Sequence, residues 1–542
     1  MNDDDFYFDG SMTRETLKAY LKRAVTLNGA AGSPDWNDDI RMVLECGAMF
    51  LGRAAYVWVM PENDEKQFAL AEAFAERVHE ADSRIILQAG IFEAIYPEID
   101  LIPVPGWVFE AFGDEAEERC FRFEATHDPQ RRTEYAWEFG TGGTCPDITK
   151  RESQYWFYYR ARRYIDAGYE AIHLGQPHMY ADRDRGYSVF ADLCTRIRAY
   201  ARQAARRHLV ILDAHTHGIL VDDGQLFDFH SRPLSAINWL SRPEKIILQM
   251  KGRSMGGRSP LGWECDTIPY LYEVDNWGGY SVDPQDWHTT RARESARRWG
   301  WDDINWFAHQ EREDRHEFLR YAALWCRVED ADLYFQPVLR RLLGEAGIVA
   351  RNDGTPDVRA SHGDSDSKAD RKPSIWHYRA NRSTERRPEG FADERVVQEI
   401  LGADDPAWLS DYHQRVRAYG EGLTPEVPGV RRSTPGPVVI VGSAQEIFGG
   451  TPGENYDPFS RLYQTGDWIH ERAVVLPGAG RWTFAVGVGG TGTDYHHRGG
   501  LHFGPEYEIA SEHPHVIARF RFDVRERSLS VTDSDGNSLL SE

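Results

Sequence analysis

The chain is expected to fold as an α/β protein, a (β/α)8 TIM barrel followed by an all-β sandwich. Three observations carry that expectation. Eight short apolar runs alternate with helical patterns, the signature of a parallel sheet. The repeat spans about 300 residues, the usual size of such a barrel. From about Pro435 the pattern changes to short strands separated by turns, over about 110 residues.

The apolar runs are Ala55–Met60, Arg84–Ile91, Ala171–Gln176, Leu209–Asp213, Ile246–Met250, Ile268–Val274, Ile304–His309 and Leu333–Gln336. Helices are expected between several of them, at 64–81, 149–167, 187–206, 286–299 and 312–328, where apolar residues recur at helical spacing. The fourth and fifth connections offer only a short helical candidate at 233–240 and a Gly-rich loop after Met250. No GxGxxG opens a helix after an early strand, which argues against an open dinucleotide-binding sheet. The connection at 94–147 is long, rich in aromatics and proline, and is expected as the rim of a site.

Domain boundaries follow from these patterns. Residues 1–40 are expected as an N-terminal helical extension and 41–350 as the barrel. Residues 351–391 are polar and read as a surface excursion, 392–434 as a helical segment (392–401 and 406–420) against the barrel, and 435–542 as the sandwich. Strands of the sandwich are expected at 437–442, 473–476, 482–487, 516–522 and 528–531, with the Gly-rich stretch 486–504 as a loop or hairpin connection.

Composition excludes several functions. A formal charge of −23, from 63 Lys and Arg against 86 Asp and Glu, leaves no basic surplus for a nucleic-acid partner. The six cysteines lack CxxC spacing, so neither a zinc knuckle nor a disulfide framework is expected. The acidic start has no apolar leader and no run of 18 apolar residues occurs, so the expectation is a cytoplasmic protein without a membrane partner. Aromatics are plentiful (17 Trp, 25 Tyr and 25 Phe), and platforms of that kind suit the apolar faces of sugar rings.

The chemistry concentrates where polar residues end the runs in phase with the apolar face, since barrel sites lie at the C-terminal ends of strands. The most informative segment is Leu209-Val-Ile-Leu-Asp-Ala-His-Thr-His-Gly218, in which Asp213, His215 and His217 are spaced two apart. The same reading gives Glu93, Gln176 and His178, Lys251, Glu273 and Asp275 with Trp277, His309 and Gln336. Asp213 and Glu273 are the expected catalytic pair, because glycosidic cleavage needs a proton donor and a second carboxylate. Glu93, Gln176, His178, His215, Lys251, Asp275, Trp277 and His309 are expected to bind a carbohydrate substrate, with Glu93 and Asp275 as reserve carboxylates. No cofactor is required by this reading.

The barrel, the aromatic mouth and the trailing β region together resemble barrel glycoside hydrolases that carry an accessory β domain. The resemblance implies hydrolysis of O-glycosyl bonds. Many retaining members of that group end strand four in Asn-Glu and strand seven in Glu. On the run order above, strand four ends Leu-Asp-Ala-His and strand seven Phe-Ala-His, so those positions are not matched. Two rival classes remain. Asp213-Ala-His215-Thr-His217 also resembles the His-x-His motif of metal-dependent amidohydrolases, which would place one divalent ion at His215 and His217, with Lys251 and His309 imitating later ligands. A non-catalytic carbohydrate-binding protein would keep the aromatics without needing paired carboxylates.

Overall fold

A computed structural model describes residues 3–58, 64–134, 142–222, 224–234, 236–239, 242–248, 253–275, 278–282, 297–308, 310–342, 348–350, 356–358, 377–381, 390–402, 438–448, 461–466, 469–476, 479–488, 502–512, 516–523, 526–533 and 536–541. It is a mixed α/β structure whose main sheet is parallel. Eight strands pair in parallel: β1 (Ala24–Leu27), β2 (Phe50–Tyr56), β3 (Ile86–Gly90), β4 (Ala171–His173) and β5 (Ile211–Asp213) in the main sheet, and β6 (His230–Pro233), β7 (Tyr270–Glu273) and β8 (Leu333–Gln336) in a three-stranded sheet. Strands β1 to β5 pair in chain order. β5 meets β6 through a parallel bridge between His215 and Ser231, and β6, β7 and β8 pair in turn. After Pro337 the chain runs on as β9 (Val338–Leu342), which is paired in parallel with β1. A further strand, β10 (His377–Arg379), lies antiparallel on β9, inside the segment expected as a polar excursion.

Helices connect the strands as helical patterning and caps dictate. α1 (Arg14–Lys22) is capped by Thr13, whose side chain accepts from the Thr16 N–H. α2 (Trp36–Cys46) is capped by Asp35 and stops at Gly47, in the left-handed conformation at φ 69°. α3 (Asp64–Ala81), α4 (Arg151–Asp166), α5 (Ser188–Ala204) and α6 (Arg312–Glu329) fall where the helical spacing puts them. α7 (Glu394–Gly402) matches the expected 392–401. The long 94–147 connection holds short helical turns at Pro97–Leu101, Gly106–Phe112, Phe123–Ala125 and Gln130–Glu134.

Two of the eight apolar runs are not parallel strands. Ile304–Ala308, the described part of the run Ile304–His309, falls in a helix at Asp303–Ala308; a short apolar run serves a buried helix as well as a strand. Ile246–Leu248, the described part of the run Ile246–Met250, falls in Arg242–Leu248, a strand antiparallel to Ala236–Trp239 in a separate four-stranded sheet. The helical candidate at 233–240 holds strand at Pro233 and Ala236–Trp239 instead of helix. In their place stand β1 and β6. β6 reads His-Ser-Arg-Pro, and all four residues are buried. A strand of buried polar residues leaves no hydrophobic pattern to find. The count moves accordingly: Asp213 ends the fifth strand rather than the fourth, and Glu273 the seventh rather than the sixth. Of the expected helix at 286–299, residues 286–296 lie outside the described residues and 297–299 are strand. The 406–420 helix also lies outside them.

The C-terminal region is a seven-stranded antiparallel arrangement. Its strands are β11 (Val438–Gly442), β12 (Arg461–Gly466), β13 (Ile469–Val475), β14 (Gly480–Val488), β15 (His502–Ser511), β16 (Ile517–Asp523) and β17 (Ser528–Thr532), in the order β15-β14-β11-β12-β13-β16-β17. β16 shows the alternation of a strand with one wet face: Ala518, Phe520 and Phe522 are buried between exposed neighbours. These residues join Val438, Ile440, Trp482, Phe484 and Val531 in an apolar core of their own. The Gly-rich stretch is described only at its ends, within β14 and β15.

Candidate active site

The polar ends of the parallel strands converge on one buried cluster. β2 contributes Arg53 by an unusual route. Its φ is +53°, the left-handed region that non-glycine residues rarely adopt, and the β2–β3 register shifts between Leu51 and Ala55. The irregularity turns the Arg53 guanidinium onto two carboxylates. One Nη hydrogen-bonds Glu273 Oε2 and the other reaches Asp275 Oδ2 at 3.0 Å. From β9, Arg341 binds the second oxygen of Asp275. From β5, His215 Nε2 lies 2.5 Å from Glu273 Oε1 and 3.9 Å from Asp275 Oδ2. All five side chains are buried.

Charge and burial set their protonation. Burial pushes the Asp275 carboxyl up, but Arg341 and Arg53 outweigh it and hold the group well below the usual carboxylate range. Burial pushes His215 well below its ordinary value. His215 is therefore neutral, with its single proton on Nε2, where it donates to Glu273. Glu273 thus sits between a guanidinium and an imidazole N–H.

Glu93, three residues beyond β3, has the opposite environment. Its oxygens accept from the Gln176 backbone N–H at 3.0 Å and from the Gln176 amide at 2.8 Å. Burial raises its pKa against those hydrogen bonds. Gly175 makes this possible: at φ +50° a Cβ there would fall 2.2 Å from Glu93 Oε2. The Gly175 carbonyl accepts from the His215 N–H at 2.9 Å, so Glu93 and Glu273 are joined through Gly175 and His215. Phe92 packs against Tyr56, Trp58 and His173, giving the cluster an aromatic wall.

Asp213 has a set of hydrogen-bond partners separate from those of these carboxylates. It is fully buried and accepts from Gln88 at 2.6 Å and Ser231 at 2.7 Å, with His173 Nδ1 at 2.9 Å. The His173 and His215 rings meet edge to face, with centroids 4.6 Å apart. His178 is buried in the short helix Pro177–Tyr180. His217 is buried nearby, with its carbonyl accepting from Met255 N–H at 2.6 Å. Lys251, Trp277 and His309 lie outside the described residues.

Among the described residues, one trio brings potential metal-ligand atoms within 4.8 Å of one another: His215, Glu273 and Asp275, without His217. Both of its carboxylates already carry guanidinium partners, so a divalent ion there would meet two like charges. Arg53, Gln88, His173, Ser231 and Arg341 belong to the cluster yet are absent from the sequence expectation. The available signal was an arginine inside the apolar run Phe-Leu-Gly-Arg-Ala-Ala-Tyr. A charge on a buried strand requires a buried partner.

A scan against protein-family models finds no match, and a search of curated proteins finds none either. Among solved structures, Amy13B of Eubacterium rectale is 8% identical, covering 83% of this chain and 81% of its own, with a TM-score of 0.32. A GH27 β-L-arabinopyranosidase from Geobacillus stearothermophilus, in complex with arabinose, is 9% identical over 92% of this chain and 94% of its own, with a TM-score of 0.30. Scores of that size carry no argument about fold or reaction, so the functional reading rests on the cluster itself.

Proposed function

We propose that the eight parallel strands form a (β/α)8 barrel whose mouth cleaves a glycosidic bond in a carbohydrate. The observation that carries this reading is the presence of two buried carboxylic groups with different environments, linked through Gly175 and His215. Glu273 is ion-paired to Arg53 and receives a hydrogen bond from His215, while Glu93 is pushed toward its protonated form by burial. Environments that drive two acids apart divide the labour of glycoside cleavage. Glu273, ionised, attacks or activates water. Glu93, whose pKa burial raises, is the group assigned to deliver a proton to the leaving oxygen.

The strand count supports the same assignment. In the resemblance drawn from the sequence, the nucleophile ends strand seven. On the hydrogen-bonded order that place belongs to Glu273. The fourth strand runs out through Gly175-Gln176 instead of Asn-Glu, and Gln176 is the residue to which Glu93 is hydrogen-bonded. A carboxyl from the third strand thus stands beside the place where the resemblance puts the acid. The C-terminal β region we read as a sandwich accessory domain.

The test is turnover of a panel of aryl glycosides and glycans by the full chain. Glu273→Gln and Glu93→Gln keep shape while removing the charge and the proton, and each is expected to lower kcat by at least about 1000-fold. On an aryl glycoside with a good leaving group, Glu93→Gln should lose far less, because little protonation is needed there. Activity abolished by a chelator would favour the metal-dependent reading instead.

A further inference from the structure

The mechanism above leaves four buried polar residues unused: Gln88, His173, Asp213 and Ser231. Their hydrogen bonds have one consistent direction. Gln88 Oε1 accepts from the Arg53 backbone N–H at 3.0 Å, so its amide NH2 must face Asp213. Asp213 Oδ1 therefore meets a fixed donor. Oδ2 takes the Ser231 hydroxyl at 2.7 Å and faces His173 Nδ1 at 2.9 Å. A carboxylate there orders the imidazole with its proton on Nδ1. The other nitrogen, His173 Nε2, is buried and has no hydrogen-bond partner among the described residues. A buried lone pair without a donor is unfavourable, and a ligand hydroxyl would satisfy it. The ring lies against His215, which holds Glu273, and against Phe92 in the aromatic wall.

We infer that Asp213 is a positioning residue acting through His173, which it holds as the Nδ1–H tautomer so that Nε2 accepts a hydrogen bond from a hydroxyl of the substrate. The substrate part of this statement rests on the glycosidase reading; the tautomer part does not. The surroundings also say what an amide at 213 would do. In Asp213→Asn the side-chain oxygen stays with the fixed Gln88 donor, and its NH2 turns toward Ser231 and His173. Ser231 can rotate. His173 must then present a lone pair at Nδ1 and carry its proton on Nε2, where it can no longer accept.

Two measurements test this on the full chain. Long-range 15N NMR of histidine-labelled protein should show His173 protonated on Nδ1 in the wild type and on Nε2 in Asp213→Asn, with assignment by His173→Phe. On whichever aryl glycoside the wild type hydrolyses, Asp213→Asn and His173→Phe should each lower kcat/KM by roughly 100-fold. The double variant should be no worse than His173→Phe alone, because Asp213 acts only through that ring. One monodeoxy form of the glycoside should be turned over equally by the wild type and His173→Phe. The inference is overturned if His173 is protonated on Nε2 in the wild type, or if Asp213→Asn costs as much in the His173→Phe background as alone. Full activity of Glu273→Gln would instead overturn the glycosidase reading, and the NMR result would still decide the tautomer.

Discussion

At the scale of single residues, Arg53 holds the site together. Its guanidinium is buried between Glu273 and Asp275, and Arg341 supplies the second cation. Buried ion pairs contribute little against an apolar replacement, but deleting one partner strands the other charge. Arg53→Ala should therefore destabilise the chain by about 3–5 kcal/mol, read as a lowered urea midpoint. Arg53→Lys keeps the charge but presents one ammonium where two oxygens on different residues need separate donors. It should fold nearly as well as wild type yet lose turnover. An Arg53→Ala variant as stable as the wild type would show that Asp275 and Glu273 tolerate each other without it.

Between residue and whole chain, the site depends on how strands end. Gly175, between β4 and Gln176, is the clearest case. Gly175→Ala places a side chain at positive φ, at a cost of about 1–2 kcal/mol, and its Cβ collides with Glu93 Oε2. The expected result is a modest fall in Tm with a much larger fall in kcat, since the carboxyl is pushed off Gln176. Equal losses in both would mean that Glu93 has no part in the reaction. Strand ends also decided what the sequence could reveal. Helices α3 to α6 and the strand ends carrying Glu93, Asp213 and Glu273 were legible because apolar periodicity stops abruptly at a polar residue. β6 was not, since Ser231 faces Asp213 and Arg232, on the opposite face, lies over Tyr270, and no apolar pattern records two buried polar faces. β1 was hidden by length, four residues between a helix and a turn. Missing the first strand shifted the strands that carry Glu93, Asp213 and Glu273 by one, and that shift concealed the place of Glu273 in the seventh strand. The role of Asp213 was illegible for a different reason: its partners Gln88, His173 and Ser231 come from three other strands.

For the molecule as a whole, buried histidines tie stability to pH. Burial lowers His79 to about 4, with Arg206 adding to it, and lowers His230 to about 3, with Arg232 adding to it. Below about pH 6.5 the unfolded chain takes up protons at both positions while the native chain does not. Stability is thus fully present above that pH and falls as pH drops toward 4, by up to about 1.4 kcal/mol per unit per histidine. Urea midpoints should be lower at pH 5 than at pH 7. His230→Phe should flatten the slope, because neither ring nitrogen of His230 has a hydrogen-bond partner among the described residues. A midpoint unchanged between the two pH values would contradict the burial of these groups as neutral rings.

The central claim is that Glu273 is the reacting carboxylate of a glycoside-cleaving site, and the most direct measurement is kcat of Glu273→Gln beside wild type on the glycosides the wild type turns over. Glu273→Gln is expected to lose at least about 1000-fold, and wild-type activity to survive a metal chelator. Wild-type turnover by Glu273→Gln, or a wild-type enzyme silenced by the chelator, would contradict it.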